Sequence, residues 1–218
     1  MDVENKNLLI EGANAFGIHL DENAVEAFDL FLKELLKWNE KINLTAIRTE
    51  KGIVLKHFLD SVSVCPYIPN NSCLLDIGSG AGFPGIPLKI VNLLMDITLI
   101  DSTRKKVDFQ RHIIRMLGLR GIEAIHGRVE GKEILQSLRG RFDIVISRAF
   151  SDLPSFLMLS FPFLKKGGIV FAMQGETNDE EIQRLSGIES IQYRLRQVTL
   201  FRLPFSDFKR TILSFEKE

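Results

Sequence analysis

This sequence has few cysteines, and it lacks long apolar runs and an excess of charge of either sign. Its 218 residues include only two cysteines, Cys65 and Cys73, which are too few for a disulfide scaffold and have no metal-ligand spacing. No apolar run approaches the roughly 20 residues of a membrane span, and the first residues lack the features of a signal peptide. We therefore expect a cytoplasmic protein with no metal site and no membrane contact.

The formal net charge is zero, which argues against a protein whose whole surface binds nucleic acid. The charge is nevertheless uneven, because residues 102–141 contain 10 Lys+Arg against 4 Asp+Glu, whereas residues 1–72 contain 7 against 11. A helix in the basic segment would carry Arg104, Lys105 and Arg111 on one largely polar side. Two interpretations stay open, an ordinary solvated helix surface and a face for a polyanion.

The most informative stretch is Cys73-Leu-Leu-Asp-Ile-Gly-Ser-Gly-Ala-Gly-Phe-Pro-Gly-Ile-Pro87. Cys73 to Ile77 is short and apolar, which predicts a strand buried on both faces of a parallel sheet. Gly78, Gly80 and Gly82 allow positive φ and a close approach of a ligand to bare backbone. A loop of this kind, between a strand and a helix, predicts a nucleotide-like ligand at the carboxyl end of the strand.

The glycine spacing favours one ligand over another. A dinucleotide fingerprint runs G-x-G-x-x-G and holds pyrophosphate on free N–H groups of the first helical turn. Here the glycines run G-x-G-x-G, and Pro84 and Pro87 remove donors from about that turn. The pattern therefore favours S-adenosylmethionine, whose amino-acid head would contact the loop and Asp76, over NAD or a turn without ligand.

Strands and helices alternate after residue 72, which predicts a parallel sheet with right-handed crossovers. The predicted strands are Cys73–Ile77, Asp96–Ile100, Ile122–His126, Phe142–Ile146 and Ile169–Met173, followed by an antiparallel pair, Tyr193–Phe201 and Arg210–Phe215. The predicted helices between them are Gly85–Leu93, Thr103–Leu117, Leu153–Leu164 and a short polar one near Asp179–Leu185. Residues 73–218 would thus form one α/β domain.

The sequence pattern of residues 1–72 predicts a separate helical region that packs on this domain. Its helices would end near Gly17, run from about Asn23 to Lys41, and run from about Glu50 to Val64. Trp38 and His57 are more often packing residues than a base-stacking platform and a catalytic base. The turn-rich segment from Pro66 to Asn71 would form the boundary.

Charged residues follow three of the predicted strands, where ligands bind in such folds. Asp101 would meet ribose hydroxyls or cap the next helix. Glu130 would border an adenine or begin the next helix. Arg148 would contact a ligand or form a structural ion pair.

Several motifs together resemble the bacterial ribosomal RNA small subunit methyltransferase G family, also called GidB or RsmG. They are Trp38-Asn39 with Asn43-Leu-Thr45, Lys56-His57-Phe-Leu-Asp60-Ser61, the glycine block from Leu75 to Leu88, Leu99-Ile-Asp-Ser102, Gly127-Arg-Val-Glu130 and Ser147-Arg-Ala-Phe150. The resemblance covers nearly the whole chain. It implies a class I S-adenosylmethionine-dependent methyltransferase with a Rossmann-like, seven-stranded, mostly parallel sheet and an N-terminal helical extension.

The resemblance also implies an activity, the transfer of a methyl group from S-adenosylmethionine to N7 of a guanine in 16S rRNA near the decoding region. The partner would be 16S rRNA or a small-subunit particle, and the oligomeric state stays open. Neither the Asn/Asp-Pro-Pro-aromatic segment of exocyclic-amine methyltransferases nor the Pro-Cys nucleophile of carbon-5 enzymes is present. The alternatives are a methyltransferase with another acceptor and a non-catalytic ribosome-assembly RNA binder.

The resemblance gives Gly78, Phe83, Val129, Glu130 and Arg148 as donor-binding residues, and the motif, strand-end and charge patterns described above supply the other expected site residues. The expected donor-binding set is Asp76, Gly78, Gly80, Phe83, Asp101, Val129, Glu130 and Arg148, and Arg148 is also the candidate for positioning the guanine. The expected substrate-side set is Asn39, His57, Arg104, Lys105 and Arg111. One departure is Gln174, where lysine is usual in the family, which weakens any phosphate contact by that loop.

Overall fold

The computed structural model describes residues 1–148, 150, 152–177 and 193–218. Within them the strands form one seven-stranded sheet in the order β3-β2-β1-β4-β5-β7-β6. The strands are β1 (Cys73–Ile77), β2 (Asp96–Asp101), β3 (Ile122–His126), β4 (Phe142–Ser147), β5 (Leu164–Gln174), β6 (Tyr193–Arg202) and β7 (Lys209–Lys217). The first five are parallel, and β7 is antiparallel to both β5 and β6. The predicted methyltransferase-type sheet is confirmed.

The carboxyl ends of β1 to β5 lie along one edge of the sheet, here termed the carboxyl edge. Because Gln174 at the end of β5 pairs with Thr211 near the start of β7, β7 begins at this edge. Arg202, at the end of β6, pairs with Lys209. The β6–β7 loop therefore lies at the same edge as the glycine loop.

Helices cover both faces of the sheet. They are α1 (Val3–Asn14), α2 (Glu22–Asn39), α3 (Glu50–Ile53), α4 (Asp60–Val62), α5 (Gly85–Val91), α6 (Arg104–Met116), α7 (Lys132–Leu138) and α8 (Leu153–Ser160). One hydrophobic cluster joins Leu9, Phe28 and Phe58 of the N-terminal region to Leu74 and Leu99 of the sheet. The N-terminal helices thus pack on the sheet through a shared core, and the domain division at residue 72 stays a prediction.

The other face of the sheet is covered by α7 and α8. Leu138 and Phe156 from these helices share a second cluster with Leu75 and Val145. The strand interiors are apolar on both faces because helices lie on both sides. Within the described ranges, no helix combines the length and apolarity that a bilayer crossing requires.

Helix α2 begins where the sequence predicts. The side chain of Asp21 accepts a hydrogen bond from the Ala24 N–H and caps the helix. Phe28, Phe31 and Leu35 face the core, as their helical spacing predicts.

The predicted helix over residues 50–64 is interrupted. Between α3 and α4 the chain forms a π-helix over Val54–Leu59, a wider turn that often occurs at functional sites. This wider turn changes the helix face on which Lys56 and His57 lie, compared with a regular α-helix. The 3.6-residue periodicity carries no signal for such an extra residue per turn, so the sequence predicted a continuous helix.

The predicted boundary between the last helix and the fifth strand is wrong. Helix α8 ends at Ser160, a 3₁₀ turn occupies Phe161–Phe163, and β5 already begins at Leu164. The strand tolerates the glycines at 167 and 168 because its register with β4 shifts there, where Phe142 pairs with Leu164 and Ile144 with Ile169. Gly167 has φ +73°, which suits a bulge. The polar helix predicted near Asp179–Leu185 lies outside the described residues.

Candidate functional site

The glycine loop closes against the end of β2. The N–H groups of Gly78 and Ser79 donate to the Ile100 carbonyl at 2.8 and 3.1 Å. Gly78, Gly80 and Gly82 have φ values of +72°, +60° and +93°, which side chains disfavour. The backbone conformation at these three positions therefore favours glycine, as predicted.

Gln110 holds the loop from the side of α6. Its Nε2 donates to the Gly80 carbonyl at 2.7 Å and lies 2.8 Å from the Ser79 hydroxyl, and the side chain is fully buried. Because a buried amide N–H is costly unless it is hydrogen-bonded, these contacts of Nε2 hold the loop against α6, while Oε1 is buried without a partner among the described residues.

Asp76, the acid at the end of β1, lies beneath the loop. Its Oδ2 accepts a hydrogen bond from the Gly85 N–H at 2.9 Å, while Oδ1 is buried without a partner among the described residues. Burial raises the pKa of this carboxyl to about 7, against lowering contributions from the Gly85 N–H and the Arg148 charge. An unpaired carboxylate oxygen at this place fits a cationic or N–H-bearing ligand group.

The raised pKa predicts a pH dependence of stability. The folded protein holds the Asp76 proton up to about pH 7, whereas the unfolded chain loses it near its ordinary pKa of 3.8. The folded state therefore binds more protons in this window, and the free energy of unfolding falls as pH rises from about 4 to 7. Asp76→Asn cannot titrate, so its urea-unfolding free energy should fall less than that of the wild type from pH 5 to 7. Parallel profiles for the two proteins would contradict this assignment.

A cleft of about 260 Å³ opens beside the loop at the carboxyl ends of β1, β2 and β3, and is here termed the β1–β3 cleft. Its lining consists of Ile77, Gly78, Ile100, Asp101, Ser102, Gly127, Arg128, Val129, Glu130 and Phe150. Four residues of the predicted donor set, Gly78, Asp101, Val129 and Glu130, are thus brought together here. The mixture of apolar walls and two carboxylates suits a ligand with a flat ring and hydroxyl groups.

Asp101 also supports the surrounding backbone. Its Oδ2 accepts from the Gly80 N–H at 2.9 Å and its Oδ1 from the Thr103 N–H at 2.7 Å. A contact with ribose hydroxyls is compatible with this geometry, since each oxygen keeps a second lone pair. The predicted cap role is not, because the N-cap of α6 is Thr103. The role of Asp101 towards a ribose stays a prediction.

Phe83, another residue of the predicted donor set, lies on the opposite side of the loop. Its ring stacks between His57, with centroids 4.5 Å apart, and Phe31, with centroids 5.2 Å apart. The side chain is buried among the N-terminal helices. It is absent from the lining of the β1–β3 cleft, so any direct contact with a donor there stays a prediction.

His57 is held neutral by its surroundings. Its Nε2 lies 2.8 Å from the Thr45 hydroxyl, and burial lowers the pKa of the ring to about 3. Asn39 also contacts the Thr45 segment, donating to the Thr45 carbonyl and accepting from its N–H, both at 2.9 Å. The two predicted substrate-side residues thus secure the chain between α2 and α3.

Arg148, after β4, joins an ion-pair network. One terminal nitrogen, Nη2, lies 2.7 Å from Asp60 Oδ2 and donates to the Lys56 carbonyl, also at 2.7 Å. The other, Nη1, donates to the Ser61 hydroxyl at 2.9 Å. Arg210 of β7 donates to Asp60 Oδ1 at 2.8 Å. The predicted structural ion pair is therefore formed, and the predicted contact of Arg148 with donor or guanine stays a prediction.

The predicted basic face on α6 is only partly free. Arg104 lies 3.4 Å from Asp108, and the Arg111 Nε donates to the Ala124 carbonyl at 2.9 Å. All three cations, including Lys105, are exposed.

Burial raises the pKa of the Cys65 thiol to about 12, which disfavours a thiolate. Among the described residues no group of His, Cys, Asp and Glu could hold a metal ion.

Sequence reasoning missed Gln110 altogether, and it missed the contacts of Asp60 and Phe150, which lie within the recognised motifs. Gln110 could have been noticed as a polar residue at core spacing on α6, between Val107 and Ile113. Asp60 lies within a recognised motif, but its pairing with Arg210 joins residues 150 positions apart. Phe150 stacks on Phe156 with centroids 5.0 Å apart, a contact that no local pattern predicts.

Known proteins match this chain over most of its length. Residues 24–203 match the family model described as GidB, rRNA small subunit methyltransferase G. Proteins named ribosomal RNA small subunit methyltransferase G are similar throughout. The one from Geobacter metallireducens is 44% identical over 98% of this chain and 96% of its own length. The one from Geotalea uraniireducens is 43% identical over 100% and 99%.

Solved structures share the fold at low sequence identity. M. jannaschii TYW2, crystallised in complex with AdoMet, has a TM-score of 0.60 at 19% identity, covering 79% of this chain and 80% of that one. A SAM-dependent methyltransferase from Aquifex aeolicus has a TM-score of 0.57 at 18% identity, covering 75% and 92%. The family match confirms the predicted enzyme class, a methyltransferase of small-subunit rRNA, with S-adenosylmethionine as methyl donor. The chain belongs to the rRNA small subunit methyltransferase G family.

Proposed function

We propose that this protein transfers a methyl group from S-adenosylmethionine to N7 of a guanine in 16S rRNA, in the cytoplasm. The observation that carries the proposal is the family match over residues 24–203, which includes the whole glycine loop and the β1–β3 cleft. The acceptor is either free 16S rRNA or an assembling small-subunit particle.

The residues of the cleft fit the proposed donor. Val129, Ile100 and Phe150 provide apolar surface for an adenine that Glu130 would border, and Asp101 provides acceptors for ribose hydroxyls. The unpartnered oxygen of Asp76 would accept from an ammonium group, because the positive charge of that group favours the ionised carboxylate. When bound, S-adenosylmethionine supplies an electrophilic methyl group on a sulfonium.

The surroundings of the cleft suit a ring-nitrogen acceptor. Guanine N7 carries an available lone pair at neutral pH, so the site needs no general base, and catalysis consists of positioning and exclusion of water. His57 fits this requirement because burial lowers its pKa to about 3, which makes the ring a weak proton acceptor. The π-helix and the Phe83 stack instead form a rigid wall beside the glycine loop.

An atom replacement in the RNA tests the acceptor nitrogen directly. Two 16S transcripts are prepared, one with guanosine and one with 7-deazaguanosine, which lacks N7. Each is offered to the purified protein with methyl-labelled donor, both free and reconstituted into small-subunit particles. We expect 7-methylguanosine in the guanosine RNA and no label in the deaza RNA. Equal labelling of both RNAs would contradict N7 as the acceptor, and no labelling of either would favour a non-catalytic RNA binder.

A further inference from the structure

The β6–β7 loop, residues 203–208, lies at the same carboxyl edge as the proposed site, at the β7–β6 end of the sheet. It connects Arg202 to Lys209, the last pair in the β6–β7 register. Arg210, the second residue after the loop, is tied through Asp60 to Arg148, which directly follows β4. The loop is therefore fixed relative to the strand ends at which a methyl acceptor must arrive.

The loop has an ordered internal structure. The Leu203 N–H donates to the Phe208 carbonyl at 2.9 Å. The Ser206 hydroxyl donates to the Leu203 carbonyl at 3.0 Å and accepts from the Phe208 N–H at 3.3 Å. Leu203 is 1% exposed and anchors the loop in the core.

This ordered loop presents an aromatic ring to solvent. Phe205 is 58% exposed, and its φ is +58°, a left-handed conformation that is rare for a bulky residue. Such backbone strain persists only where the surroundings impose it, and it is concentrated at functional sites. Hydrophobic burial does not explain the ring, because most of its surface faces water.

Two cations lie near the ring of Phe208, the last residue of the same loop. The Lys56 Nζ lies 4.1 Å from the Phe208 ring centroid, and the Arg210 guanidinium carbon lies 5.9 Å from it. Asp60 is the carboxylate shared by Arg148 and Arg210, so Lys56 and these two arginines leave the cluster positive. An aromatic platform beside a positive cluster is the combination that binds single-stranded nucleic acid.

We propose that the β6–β7 loop is a docking platform for the RNA, on which an unpaired base of the rRNA stacks against Phe205 while Lys56 contacts the neighbouring phosphate. The proposal rests on the proposed function and adds a second contact area outside the donor cleft. Phe205 acts in RNA binding and not in methyl transfer itself. Lys56 links the platform to the π-helix, and through it to the residues beside the glycine loop.

The test uses the full-length protein and an unmodified 16S transcript. Phe205→Gly removes the ring and relieves the strained φ, so the loop should fold without loss of thermal stability. Its Kd for the transcript should rise about tenfold, with a similar rise in KM and unchanged kcat at saturating RNA. Phe205→Tyr should retain wild-type affinity. Leu94→Ala is the matched control, because Leu94 is 70% exposed and precedes β2 at the opposite edge of the sheet.

Salt dependence separates stacking from phosphate contact. Phe205→Gly should leave the slope of log K against log salt unchanged, whereas Lys56→Gln should reduce it by about 0.7 to 0.9. Wild-type affinity in Phe205→Gly, or an equal loss in Phe205→Tyr, would overturn the proposal. If the wild type binds the transcript but methylates no rRNA, the proposed function fails, and the comparison of Kd values still decides the role of the loop.

Discussion

Replacing Gly80 with valine is expected to abolish binding of S-adenosylmethionine and with it methyl transfer. Gly80 has φ +60°, which a β-branched residue adopts only with strain of about 1–3 kcal/mol. The loop can relieve this strain by moving, but movement breaks the contacts of Gly80 with Asp101 and Gln110. Isothermal titration calorimetry with the donor should then show no detectable heat of binding.

Gly118 offers a matched control for this variant. It also has φ +60°, and a Cβ added there would meet nothing within 4 Å, but it follows α6 outside the glycine loop. Gly118→Val should therefore carry similar backbone strain and bind the donor as the wild type does. Wild-type donor affinity in Gly80→Val, or an equal loss in Gly118→Val, would show that the loop geometry is not what binds the donor.

Replacing Asp60 with alanine is expected to cost about 3–5 kcal/mol of unfolding free energy, the usual effect of removing one partner from a buried ion pair. The Asp60 side chain is 6% exposed, and those of Arg148 and Arg210 are 17% and 19% exposed. Without the carboxylate, two guanidinium groups remain close together with little access to water. Urea unfolding at neutral pH measures the loss.

Glu216 forms a comparable set of ion pairs at the protein surface and offers a control for Asp60→Ala. It lies 2.8 Å from Arg194 and 3.8 Å from Arg196, whose side chains are 66% and 47% exposed. Because water solvates these charges after the carboxylate is removed, Glu216→Ala should destabilise far less than Asp60→Ala. Similar midpoints for wild type and Asp60→Ala would refute the structural role that we assign to the Asp60 network.

Periodicity predicted most of the fold because the β1–α5–β2–α6–β3 region follows local rules. Buried strands are apolar runs, and Gly118, with φ +60°, ends α6 as a glycine stop should. The misplaced start of β5 lies where non-local pairing decides the structure. Leu164 joins β5 because Phe142 offers it a partner, although the following Lys-Lys-Gly-Gly has the composition of a turn.

The site was predictable to the extent that its residues follow strand ends. Gly78, Asp101, Val129 and Glu130 meet in the cleft because parallel strands align their carboxyl ends at one edge. Side-chain partners could not be predicted in the same way. The pairing of Asp60 with Arg148 and Arg210 depends on packing between the π-helix, β4 and β7. The spacing of residues along the chain does not predict that packing.

We propose that this chain places a methyl group on N7 of one guanine in 16S rRNA. The most direct test is mass-spectrometric mapping of small-subunit rRNA from cells with the gene, without it, and without it but supplied with either wild type or Gly80→Val. We predict one 7-methylguanosine that disappears on deletion, returns with the wild type and does not return with Gly80→Val. An rRNA whose 7-methylguanosine content is the same in all four strains would contradict the claim.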